Sequence, residues 1–91
     1  MTLEAYRIAK EKSLLALVWL EENKLYIKDN DGIQIISNNT NEAGLDIWLK
    51  VYCSEKNAKN IGKISIPKED IEEFFQSVNE KNPKRKEKIK I

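Results

Sequence analysis

The 91-residue chain has no histidine, a single cysteine, two prolines and three glycines. Lacking histidine, it lacks the side chain that most often moves protons near neutral pH. With Cys53 alone, no disulfide framework closes within the chain. The glycines stand apart, at turns or in a strand, so no glycine-rich phosphate loop is present. The longest apolar run, Leu14 to Leu20, is seven residues, well short of a bilayer's thickness. Met1-Thr2-Leu3-Glu4-Ala5 shows no basic stretch leading into an apolar one and no cleavage pattern. These absences predict a cytosolic or nuclear protein that is not an enzyme. They also predict no cofactor, no metal, no small-molecule substrate and no membrane partner.

Apolar residues make up 41% of the chain and charged residues 34%, a polar balance for one small domain. A core this small gains from burial against another chain. Residues 1–80 carry ten basic and fourteen acidic side chains, whereas residues 81–91 carry six basic and one acidic. A mildly acidic body, residues 1–82, therefore precedes a basic tail, residues 83–91.

The expected fold class is α+β: an N-terminal helix, a four-stranded antiparallel sheet, a C-terminal helix and the basic tail. Thr2 and Glu4 suit a helix start, and the helix is expected over residues 2–22. Its second half, Leu14-Leu15-Ala16-Leu17-Val18-Trp19-Leu20, is apolar on every side and must be covered on every side. One sheet covers half of it. Leu14, Leu15, Leu17, Val18 and Trp19 are therefore expected to form the interface of a homodimer or higher oligomer.

Strands are expected at residues 24–28, 33–37, 45–53 and 61–66, the first two joined by an Asn30-Asp31-Gly32 turn. Pro67 opens the last helix, with Ile71, Phe74, Phe75 and Val78 on one apolar face and Asn82-Pro83 as its stop. Short connections favour a meander with both helices on one side. Asp29-Asn30-Asp31-Gly32 resembles part of a calcium loop, but the distal glutamate is missing, since residue 40 is threonine. The acids of the last helix, Glu69, Asp70, Glu72 and Glu73, complement its dipole. Cys53 reads as an inert core thiol.

Side chains alternate across a strand, so the four strands sort into two faces. One collects Leu25, Ile27, Ile33, Ile35, Leu45, Ile47, Leu49, Val51, Cys53, Ile64 and Ile66, an apolar floor for the helices. The other brings Tyr26, Trp48 and Tyr52 together with Lys24, Lys28, Lys50 and Lys63. Rings that stack on unpaired bases, worth roughly 1–3 kcal/mol each, and cations that track phosphates make a surface for single-stranded DNA or RNA. Lys84, Arg85 and Lys86 in the tail add unspecific attraction to phosphate. Lys88-Ile89-Lys90-Ile91 alternates and suits an added edge strand on a partner. The alternative is a non-catalytic protein-interaction module, a complex subunit or a viral or mobile-element inhibitor. In that case the same rings serve an oligomer or partner interface.

Lys24-Leu25-Tyr26-Ile27-Lys28 with a short polar turn resembles the opening hairpin of the PUR and PC4-like single-stranded nucleic-acid-binding repeats. Trp48-Leu49-Lys50-Val51, Lys63-Ile64-Ser65-Ile66 and a helix bearing Phe74 and Phe75 continue the likeness over residues 24–80. It implies four strands and a helix per repeat, repeats paired through their helices, and a curved sheet facing the nucleic acid. A leading helix departs from that pattern, and a sheet flanked by an extra helix is similar to the ThermoDBP type of archaeal single-stranded DNA-binding protein.

Overall fold

A computed structural model describes residues 1–79. Its first finding is a correction: residues 2–21 form two strands in place of a helix. β1 (Thr2–Lys10) and β2 (Ser13–Glu21) are followed by β3 (Lys24–Asp29), β4 (Gly32–Ser37), α1 (Glu42–Lys56), β5 (Asn60–Pro67), a 3-10 turn (Lys68–Asp70) and α2 (Ile71–Asn79). The strands make one five-stranded sheet in the order β4-β3-β2-β1-β5. Every neighbouring pair is antiparallel. The fold is α+β, as expected, with one more strand and a different helix order.

Tight turns explain how β1 to β3 fold back on themselves. Glu22 and Asn23 both adopt left-handed φ, 55° and 64°, between the paired Glu21 and Lys24. Positive φ at both central residues is the hairpin turn whose twist matches the strands. Glu11, with φ 59°, makes the turn between Lys10 and Ser13. The expected β3–β4 hairpin is present, with Gly32 at φ 107° and the Asp31 N–H donating to Asp29 Oδ1 at 2.9 Å.

The two helices lie on opposite faces of the sheet, a second correction. Cross-strand partners define the rows. Ile64, Ala5, Trp19, Tyr26 and Ile35 stand side by side on one face; Lys63, Tyr6, Val18, Ile27 and Gln34 stand on the other. α2 covers the first face, packing Ile71 and Phe75 on Leu3, Ala5, Leu17, Trp19 and Ile66. α1 covers the second, packing Leu45 and Leu49 on Ile8, Ala16, Val18, Leu25 and Ile27. The apolar run of β2 thereby finds its cover within the chain. A central strand with a helix on each face buries both of its side-chain sets. Leu14, Leu17, Val18 and Trp19 are buried and Leu15 is half-buried, so these side chains are spent inside the domain and do not form the oligomer interface expected of them.

The third correction is residues 45–53, which are the core of α1. Strand alternation and helical spacing coincide here, since Leu45, Trp48, Leu49 and Tyr52 also sit at i, i+3, i+4 and i+7. The ends decide between them. Asn41 caps the helix by accepting the Gly44 N–H at 3.1 Å, and Asn57 closes it in the left-handed region, donating to the carbonyls of Cys53 and Ser54. The Thr40 N–H donates to the Asn23 carbonyl at 2.8 Å and the Lys59 N–H to the Ala9 carbonyl at 3.1 Å, which ties both flanks of α1 to the sheet.

Gly44 lies in the first turn of α1 with Thr40 folded against it; a Cβ there would overlap Thr40 Oγ1. Gly44→Ala is expected to destabilise the domain by about 1–3 kcal/mol, despite alanine's better helix propensity. Urea unfolding measures this, and a stabilised variant would show that Thr40 moves aside freely.

α2 matches expectation through Ile71, Phe74, Phe75 and Val78, all packed on one core. Its expected stop at Asn82-Pro83, the basic residues Lys84, Arg85 and Lys86, and the edge strand expected at residues 88–91 lie outside the described residues.

Candidate interaction surface

The three rings singled out for base stacking do not share a sheet face. Tyr26 is on β3, under α2, stacked on Trp19 with centroids 5.4 Å apart and planes 4° from parallel. Trp48 and Tyr52 are on α1, at the rim of the other core, stacked on each other at 4.7 Å. The lysines divide likewise. Lys28 places its ammonium 5.1 Å above the Phe75 ring, on the α2 side. Lys24 shares that side by strand parity. Lys63 is on the α1 side of β5, 3.4 Å from Glu4 and 5.5 Å above Tyr6, and Lys50 is exposed on α1. The expected ring-and-lysine platform is replaced by separate pairs, because residues 45–53 are not a strand.

The residues that carried the family resemblance also take a different order. Residues 24–79 run strand, strand, helix, strand, helix. Four strands followed by a helix occur at residues 2–56, which are not the residues on which the likeness rested.

The electrostatics are local. Glu21 accepts from Lys68 Nζ at 2.9 Å and from Trp19 Nε1 at 3.4 Å. The Lys68 hydrogen bond holds the Glu21 carboxyl below its ordinary value. Burial pushes the Cys53 thiol up; the side chain is half-buried on α1 beside the core, and not on the buried face of a strand where it was expected. Tyr52 is also raised, chiefly by burial and then by the nearby Asp29 carboxylate. Trp48 and Tyr52 of α1 and Ile36 of β4 all pack against the same buried cluster, which includes Leu25 and Ile27 of β3.

Exposed apolar side chains occur on β4 and on α1. On the α2 side of the sheet, Ile33 and Ile35 are 44% and 50% exposed. On the α1 side, Ile36 packs against the same buried cluster as Trp48 and Tyr52. Ile47 and Val51, one turn apart, extend this apolar surface outward from the Trp48–Tyr52 pair and are 66% and 53% exposed. Among the described residues, β4 has no strand on its outer side. Its sequence, Gly32-Ile33-Gln34-Ile35-Ile36-Ser37, contains no charge and no proline. The other edge, β5, carries Lys63 and ends in Pro67, both of which discourage pairing. Sequence reasoning missed this surface because Ile33, Ile35, Ile47 and Val51 were assigned to the core floor.

Elsewhere, Ile66, Pro67, Asp70, Glu73, Phe74 and Ser77 line a shallow cleft of about 390 Å³ between β5 and α2. Among the described residues, no three metal-binding side chains cluster and no helix is long and apolar enough to cross a membrane.

The class defined by this architecture is a five-stranded antiparallel sheet held between two helices, with one open uncharged edge. Compared with known proteins, the chain matches no family model, no curated protein and no solved structure.

Proposed function

We propose that the chain is a non-catalytic protein-interaction module working through the β4 edge and the adjoining flank of α1. One observation carries this reading: an uncharged edge strand, unpaired among the described residues, bears exposed Ile33 and Ile35 on one face of the sheet, while the helix over the other face exposes Ile47 and Val51. An open edge supplies main-chain hydrogen bonds to an incoming strand, and apolar side chains beside it supply the area that excludes water. Natural sheets ordinarily blunt such an edge with charge or proline, as β5 does. Leaving β4 uncharged, with Ile33 and Ile35 exposed on it, suits a surface that is covered in use.

The test is a photo-crosslinking residue placed at Ile35 or Val51 in cells making the protein, with Glu69 as the control position. The reading requires a discrete adduct from Ile35 and Val51 and none from Glu69. Absence of any adduct at the first two positions would remove it.

Single-stranded nucleic acid binding is the second reading. One observation favours it: Trp48, Tyr52 and Lys56 follow one another turn by turn on α1, with Lys56 Nζ 5.8 Å above the Tyr52 ring. Against it, the two rings already occupy each other's faces, and the lysines of the sheet lie elsewhere. Titration with an oligothymidylate at low salt is expected to leave tryptophan fluorescence unchanged. Saturable quenching that disappears in Trp48→Ala would instead put nucleic acid first.

A further inference from the structure

We propose that the partner of the β4 edge is a second copy of this chain, paired strand to strand about a twofold axis at Gln34. This rests on the interaction-module reading and specifies its occupant. Ile33-Gln34-Ile35 reads the same in both directions. An antiparallel pairing centred on Gln34 therefore sets Ile33 of each protomer against Ile35 of its partner and Gln34 against Gln34. Cross-strand aliphatic pairs of this kind stabilise a sheet, and the two carboxamides have matching donors and acceptors. The resulting contact is isologous, so it closes as a dimer and leaves no edge for further growth at that side.

Charge argues for self-pairing over a foreign strand. No charged side chain lies on β4, so two copies meet without like charges opposed. The whole chain has a net charge of +1, which leaves little long-range repulsion between copies. A foreign partner chosen by electrostatics would be met by a charged edge, and this edge offers none.

The geometry sets the limits of the contact. Leu25 pairs with Ser37 and Tyr26 with Ile35, so Ile36 is an extra residue that bulges β4 and ends its regular stretch. Pairing is therefore confined to the segment around Gln34. A twofold axis perpendicular to the sheet keeps like faces on the same side. The exposed Ile33 and Ile35 of both copies then form one apolar strip on the α2 side. The product is one sheet of ten strands, twice the five of a single chain.

Gln34 is exposed, so charging it tests the contact without disturbing the fold. The purified chain is expected to sediment as a dimer. Gln34→Lys and Gln34→Glu, which each oppose two like charges at the axis, are expected to sediment as monomers with unchanged circular dichroism. Mixing the two variants is expected to restore a dimer containing one of each. A monomeric parent chain, or a dimer indifferent to both variants, overturns the proposal; so does failure of the mixture to associate. A crosslink from Ile35 to a chain of different mass would overturn self-pairing while leaving the interaction module standing.

Discussion

Trp19→Ala is expected to cost about 3–5 kcal/mol, a large share of the stability of a small domain. Trp19 is the largest fully buried side chain and sits on the central strand, two residues before its end. It packs with Leu3, Ala5, Leu17, Ile71 and Phe75, and its ring is the platform on which Tyr26 stacks. Truncation leaves a cavity between β2 and α2 that a two-layer contact cannot easily close. Small domains have only about 5–15 kcal/mol in total. The loss corresponds to a fall in melting temperature of about 4–8 °C for each kcal/mol. Trp19→Phe, which keeps a ring against Tyr26, should lose much less. Thermal melts followed by circular dichroism would decide, and an alanine variant melting within a few degrees of the parent would mean that the ring is not in the core.

The second large effect concerns neighbouring positions. Leu17→Asp and Val18→Asp are each expected to unfold the chain, although the two side chains point to opposite faces of the sheet. Leu17 lies under α2 and Val18 under α1, and both are fully buried. An unpaired carboxylate buried at either site costs several kcal/mol, or stays protonated with the loss of good packing. In a sheet with one wet face, one of the two would be tolerated. The matching control is Ile33→Asp on the exposed edge, which should leave the isolated fold intact. Soluble, folded Leu17→Asp or Val18→Asp protein would refute the two-sided cover.

These predictions show where the sequence was legible. The β3–β4 hairpin could be read because Asp-Gly turn chemistry sits between two alternating segments. The α2 face could be read because Ile71, Phe74, Phe75 and Val78 fit only the helical period. The β1–β2 hairpin could not, because its turn uses Glu11 and Lys12, which carry no glycine, proline or asparagine to announce it. Leu14 to Leu20 was ambiguous by nature. An uninterrupted apolar run satisfies both a buried helix and a central strand, and periodicity alone cannot separate them.

Residues 45–53 failed for a different reason. Leu45, Ile47, Leu49, Val51 and Cys53 alternate, yet Ile47 and Val51 now stand exposed on the outside of α1. The stronger signals were local: Asn41 and Glu42 at one end, Lys56 and Asn57 at the other. Misplacing this segment carried the candidate site with it. Trp48, Tyr52 and Lys50 moved from a sheet face to a helix, and the aliphatic side chains expected inside moved to the surface.

Hydrogen exchange measured across dilution probes the open edge most directly. At high protein concentration the β4 backbone amides that face away from β3 should become protected, while those on the outer side of β5 continue to exchange at the same rate. Equal exchange at both edges, unaffected by concentration, would contradict a β4 edge made to pair.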